Sequence, residues 1–222
     1  MPSKKASGSG SSKQPYLKGK NAVQLCIFVG ANLAVFLALL VSDGFSAATV
    51  DQFWHRITAK DGFLAAIIPI LAIVLCGVFS DKWKARLVFW RWRDPLPGCR
   101  VFSELLATDH RIDKTTLAEK LGEYPREADK QNALWFSLYK RHGGVNKVLE
   151  AHRIYLMTRD MASISSLFVI LFPLGVFAEN FQWEVAAIYA AALLLQYVLI
   201  AISARNYGNR FVLNVLVEES QT

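Results

Sequence analysis

Apolar and polar positions are distributed unevenly along the chain, in four long charge-free runs separated by segments of mixed character. Residues 22–42, 63–80, 161–178 and 185–204 contain no Asp, Glu, Lys or Arg over 18 to 21 positions each. An α-helix rises about 1.5 Å per residue, so roughly 20 apolar residues cross the hydrocarbon layer of a bilayer. Each run therefore predicts a membrane-spanning helix. The first is longer than the apolar part of a removable leader, and Val41-Ser42-Asp43 lacks a small-x-small cleavage pattern, so it is expected to stay in the mature chain.

The segment 81–160 has a different pattern. Phe102, Leu105, Leu106, Ile112, Leu117, Leu121, Leu134, Leu138, Val148 and Leu149 follow spacings of three and four, as amphipathic helices do. Asp113 is placed to cap a helix through TTLAEKL with Gly122 at its end, and Pro125 to open a second that stops at Gly143-Gly144. A third, from Val145, is expected to run without a break into the third apolar run. Ser80 to Arg93 holds no glycine or proline, so the second membrane helix is expected to continue as a stalk, SDKWKARLVFWRWR, until Asp94-Pro95-Leu96-Pro97-Gly98 ends it.

The fold class that follows is an all-α integral membrane protein, with four transmembrane helices and a small helical cytosolic module inserted between the second and third. Residues 1–21 are expected to be a disordered basic arm, 22–80 the first two spans, and 81–160 the module with its helical stalks. Residues 161–204 form the last two spans, and 205–222 a cytosolic helical tail.

Composition supports this reading and charge orients it. Of 222 residues 53% are hydrophobic, too many for an ordinary soluble domain, and the net charge of +7 calls for acidic surroundings. Lys and Arg number five before the first run, two in 43–62, none in 179–184, sixteen in 81–160 and two after the fourth run. Positive segments stay inside, which places both termini and the module in the cytoplasm and the chain in the cell (inner) membrane. Trp83, Trp90 and Trp92 then become interfacial anchors, with Arg91 and Arg93 among the lipid headgroups.

Candidate chemistry is sparse. Cys26, Cys76 and Cys99 fit neither a disulfide framework nor a zinc site, and no catalytic, cofactor-binding or metal-binding motif is present. Acidic Glu119, Glu123, Glu127 and Asp129 beside TTLAEKLG argue against nucleic acid. Helical spacing puts His152, Tyr155 and Arg159 on one side of their helix, where they are candidates to meet Arg91 or Arg93 around an anionic ligand or headgroup. Cations at a membrane interface explain the same residues without a ligand. The apolar runs hold no acid or base of the kind that a proton-coupled carrier uses. Gly30 with Ala34, Ala186 with Ala190 and Ala187 with Ala191 offer close helix packing, within the chain or in self-association. Pro69 and Pro173 are candidate hinges.

In layout alone the chain resembles the small four-helix membrane proteins of bacterial anti-phage defence systems. The residues themselves point to a non-enzymatic oligomer among membrane lipids, with a cytosolic module that senses or docks a cytosolic protein partner and a gated or membrane-perturbing core, and the likeness adds a defence-type effector as the expected role. The alternative is a non-conducting anchor that recruits a cytosolic protein.

Overall fold

The computed structural model describes residues 21–41, 61–180 and 183–222, and among them there are helices and turns but no strand. In chain order the α-helices are α1 (Ala22–Val41), α2 (Asp61–Val78), α3 (Asp81–Phe89), α4 (Lys114–Leu121), α5 (Ala128–His142), α6 (Asn146–Asn180) and α7 (Trp183–Gln221). Short 3-10 and π turns over Pro97–Thr108 link α3 to α4. Ala22–Leu40, Asn146–Ala178 and Trp183–Gln221 are long and apolar enough to cross a membrane, and α2 carries the apolar stretch Ile67–Val78.

The longest helices, α6 and α7, lie side by side in opposite directions, as their partners show. Lys147 meets Asn214, His152 meets Phe211, Ser165 meets Gln196 and Phe172 meets Tyr189. Two separate cores form on this pair. One takes Ile164, Phe168 and Val176 of α6 with Ala186, Tyr189 and Leu193 of α7, and adds Leu25 and Val29 of α1 and Ala72 of α2. Here Phe36 stacks on Phe172 at 4.4 Å, and Gly175 is required because a Cβ would lie 2.8 Å from the Phe36 ring. The outer face of this bundle is apolar, with Ile27, Ile73, Leu174, Ile188, Leu195 and Leu199 all exposed.

The second core joins the other ends of α6 and α7 to α3, α4, α5 and the 97–108 turns. Ala151, Tyr155 and Ala162 enter it from α6, and Phe211, Val212, Val215 and Leu216 from α7. Asp113 caps α4 as expected, its Oδ1 accepting from the Thr115 and Thr116 amides at 3.0 and 3.1 Å. Gly122 follows α4 in the left-handed region (φ 70°), and α5 stops at Gly143. Buried Gln131 holds the 97–108 turns to α5, since its Oε1 accepts from the amides of Phe102 and Ser103 at 3.1 and 3.2 Å.

Several expectations need correction. The second apolar helix does not continue as a stalk: α2 ends at Val78, and α3 starts afresh at Asp81 behind Ser80, whose Oγ accepts from the Trp83 amide. Ser80 is extended (ψ 157°), so the hydroxyl that competes with the backbone ladder defines a new N-cap where no glycine or proline signals one. Nor does α3 reach Arg93, because Trp90 turns into the left-handed region (φ 53°). The tail is helical but is no tail. Phe211–Val217 are buried in the second core, and Glu219 accepts from Arg141 and His142 at 3.0 and 2.6 Å. The module is thus not confined to 81–160. Pro69 and Pro173 lie inside α2 and α6, both of which run through them. The expected disordered arm lies outside the described residues except for Asn21, which is buried and exchanges hydrogen bonds with Arg153.

Candidate functional site

Beyond α3 the 3-10 turn Pro97–Arg100 brings the chain against α5. A Cβ on Gly98 would meet the Asn132 side chain and approach the Trp135 ring to 3.1 Å, so glycine allows this close approach without moving either neighbour. The first turns of α6 and the last turns of α7 close the other sides. Between them is a cleft of about 390 Å³ lined by aromatic Trp135, Phe136, Phe211 and Tyr155, with Asn132, His152 and Arg159 as its polar groups. That volume is in the range of small-molecule sites, and mostly apolar walls with a few convergent polar groups are their usual chemistry.

The walls are held by contacts with one another. His152 stacks on Phe211 at 4.3 Å and 9°, Trp135 stands edge-on to Phe211 at 5.3 Å, and Trp135 Nε1 donates to the Val212 carbonyl at 3.1 Å. Gly208 lets α7 approach, since a Cβ there would lie 2.8 Å from the Tyr155 ring. Buried Tyr155 and Arg159 each keep a polar atom, Oη and Nε, without a hydrogen-bond partner. Both atoms can donate. An orphaned buried donor is costly, and in native structures it points to strain or to a group that binds there.

Electrostatics follow from burial. It pushes the Tyr155 hydroxyl up to about 12, against the opposing influence of Arg159. It pushes His152 down to about 4, and the positive charge of Arg159 acts in the same direction. His152 is therefore neutral at pH 7, and one ring nitrogen shares a 3.0 Å hydrogen bond with the Tyr139 hydroxyl. A stability consequence follows. Because its folded value lies below 6.5, the unfolded chain takes up the proton first, so stability is lost as pH falls from 6.5 toward 4. Unfolding at pH 8 and pH 5 should show a loss of about 2 kcal/mol from this group, and His152→Phe should remove that part of the pH dependence.

Below the cleft, where the two cores meet on α6, lies a charged cluster. Lys84 Nζ contacts Asp160 Oδ1 at 2.7 Å, with side chains 3% and 6% exposed. Arg159 reaches Asp81 at 2.9 Å and Asp160 at 3.4 Å. Lys84, Arg159 and Asp160 are buried together with their opposite charges in contact, and Asp81, 70% exposed, meets Arg159 from the solvent side.

Of the residues singled out from sequence, His152, Tyr155 and Arg159 come together in the cleft. Arg91 and Arg93 do not join them: Arg91 makes two bonds to Glu104 at 3.2 and 3.0 Å, and Arg93 is exposed. Trp83, Trp90 and Trp92 are exposed along α3 and the turn after it. Arg86 lies 4.5 Å over Trp83 and 5.9 Å from Trp92, while Trp90 donates to the Tyr197 hydroxyl and carries Arg205 on its ring at 4.3 Å. Those contacts hold Trp90 in a conformation that a bulky residue rarely adopts. Gly30 packs on Ile68 and Ala186 is buried, with Ala34 and Ala190 half-buried, whereas Ala187 and Ala191 are exposed.

The sequence reading missed Trp135, Phe136, Asn132 and Phe211, and did not pair Lys84 with Asp160. Trp135 and Phe136 stand in a clear helix pattern, but only tertiary packing separates a cleft wall from ordinary core. Among the described residues no cluster of three or more His, Cys, Asp or Glu is arranged to hold a metal ion. No protein-family model, curated protein or solved structure matches the chain, so its function has to be argued from its own residues.

Proposed function

We propose that the chain is a polytopic inner-membrane protein with four spans, whose cytosolic module binds a small ligand in the aromatic cleft and passes that event to a gated or membrane-perturbing helical core. The observation that carries this reading is continuity. α6 brings His152, Tyr155 and Arg159 to the cleft and then becomes apolar core, and α7 brings Phe211 and Val212 and does the same. Helices that cross both cores unbroken transmit a rearrangement of one as a tilt in the other. The exposed apolar face of the first core supports lipid contact, and the Lys and Arg asymmetry supports cytoplasmic termini. Exposed Ala187 and Ala191 are the proposed self-association face. Phe136, 46% exposed at the rim, favours a second reading in which the module only docks a cytosolic protein partner. The chain is proposed to act without catalysis, with the layout likeness to bacterial defence effectors as further support.

Two measurements test this. After the native cysteines are replaced, single cysteines at Ser46 and Gln182, which lie outside the described residues, should label from outside intact cells. Cysteines at exposed Lys130 and Thr222 should not. Rising expression should depolarise cells in proportion to the amount of protein, because even a small active fraction grows in number. External labelling at Lys130 would overturn the topology, and unchanged potential at every level would favour the anchor.

A further inference from the structure

We propose that the slot between α1 and α2 is a site for one membrane phospholipid, its acyl chain between the helices and an oxygen of its phosphate or ester on Lys84. The inference rests on the membrane placement proposed above and concerns a place separate from the aromatic cleft.

The slot has a volume of about 330 Å³, with Leu25 and Cys26 on the α1 wall, Pro69, Ala72 and Cys76 on the α2 wall, and Lys84 and Asp160 at one end. Asn21 stands at the same polar end, and Pro69 marks the opposite, apolar one. From Cys76 to Pro69 the α2 wall runs about 10 Å along the helix axis. A cavity that is charged at the membrane boundary and hydrocarbon-like toward the middle matches a molecule with the same division, and only an amphiphile has it.

Lys84 supplies the more specific argument. An ammonium carries three N–H donors, and here one is bonded to Asp160 Oδ1 at 2.7 Å while the rest find no acceptor among the described residues. The side chain is 3% exposed, so bulk water does not satisfy them, yet it lines the slot. A phosphate or ester oxygen entering from the cytoplasmic leaflet meets the remaining N–H donors of Lys84, beside the Asp160 carboxylate that shares this end of the slot, at the depth where lipid carries such oxygens. The apolar walls then take the chain, which stays out of water on either side of the membrane boundary.

The test uses the full chain in vesicles of phosphatidylglycerol containing a small fraction of the same lipid with a diazirine near the end of one acyl chain. After illumination, adducts are mapped by mass spectrometry. Slot residues Cys26 and Ala72 should be labelled at least five-fold more than Leu195 and Leu199, which are exposed on the outer face of α7. Ala72→Phe, which fills the slot, should abolish the excess and leave α7 labelling unchanged. Should that variant fail to fold, Cys26→Trp fills the slot from the opposite wall and is read in the same way. Equal labelling at all four positions would mean ordinary surrounding lipid and overturn the site. Labelling of α7 without the slot would mean that another part of the chain or a second copy fills it, which also overturns the proposal while leaving the membrane reading intact. Absence of labelling everywhere would remove the membrane reading and the site with it.

Discussion

Lys84→Met is expected to destabilise the protein by about 3–5 kcal/mol, because it strands a buried carboxylate. Asp160, 6% exposed, would keep among the described residues only the cation of Arg159 at 3.4 Å, and Arg159 is already bound to Asp81. That remaining contact places the expected cost toward the lower end of the range. The double variant Lys84→Met with Asp160→Leu should recover most of the loss, since removing both charges avoids the desolvation of either. Thermal unfolding of the purified protein in one detergent checks both. Near wild-type stability of the single variant would mean that water reaches Asp160, and that this boundary between the cores is wetter than the packing indicates.

Trp135→Ala should cost about 3–5 kcal/mol, the range for removing a large aromatic from a packed core. The indole stacks on Tyr139 at 5.6 Å, stands edge-on to Phe211 at 5.3 Å and bonds the Val212 carbonyl, so it fastens α5 to the end of α7. Its loss also widens the cleft. Trp135→Phe keeps the ring contacts, gives up the N–H donor and should cost less than half as much. The same melting experiment separates the two. Equal losses for Ala and Phe would show that the hydrogen bond, and not ring packing, carries the contribution.

Helix patterns were legible where local chemistry decides structure. Asp113, Gly122 and Gly143 mark the ends of α4 and α5, and uncharged length marks α1, α6 and α7. Ser80 and Trp90 were not legible, because one restarts a helix and the other ends one through contacts made elsewhere: a hydroxyl cap at Ser80, and Tyr197 with Arg205 around Trp90. The 205–222 segment read as a cytosolic helical tail since it follows the last uncharged run and carries Arg205 and Arg210. In the fold those charges find partners or solvent while Phe211–Val217 fill a core that the 81–160 segment leaves incomplete. Half of the candidate site was visible for the same reason. His152, Tyr155 and Arg159 share a helix, so spacing alone groups them. Trp135 and Phe211 arrive from two other helices, and Lys84 with Asp160 looked like two separate boundary charges until the fold paired them.

Coupling of cleft to membrane core depends on α6 being one rigid body from Asn146 to Asn180. Hydrogen exchange of the full chain in phosphatidylglycerol vesicles measures this directly, since local opening exposes amides that a rigid helix protects. Protection should run unbroken from Val148 to Val176, including the stretch 156–164 where the two cores meet. A fast-exchanging segment at 156–164 between two protected blocks would contradict the coupling, and would leave a docking module flexibly joined to a membrane anchor.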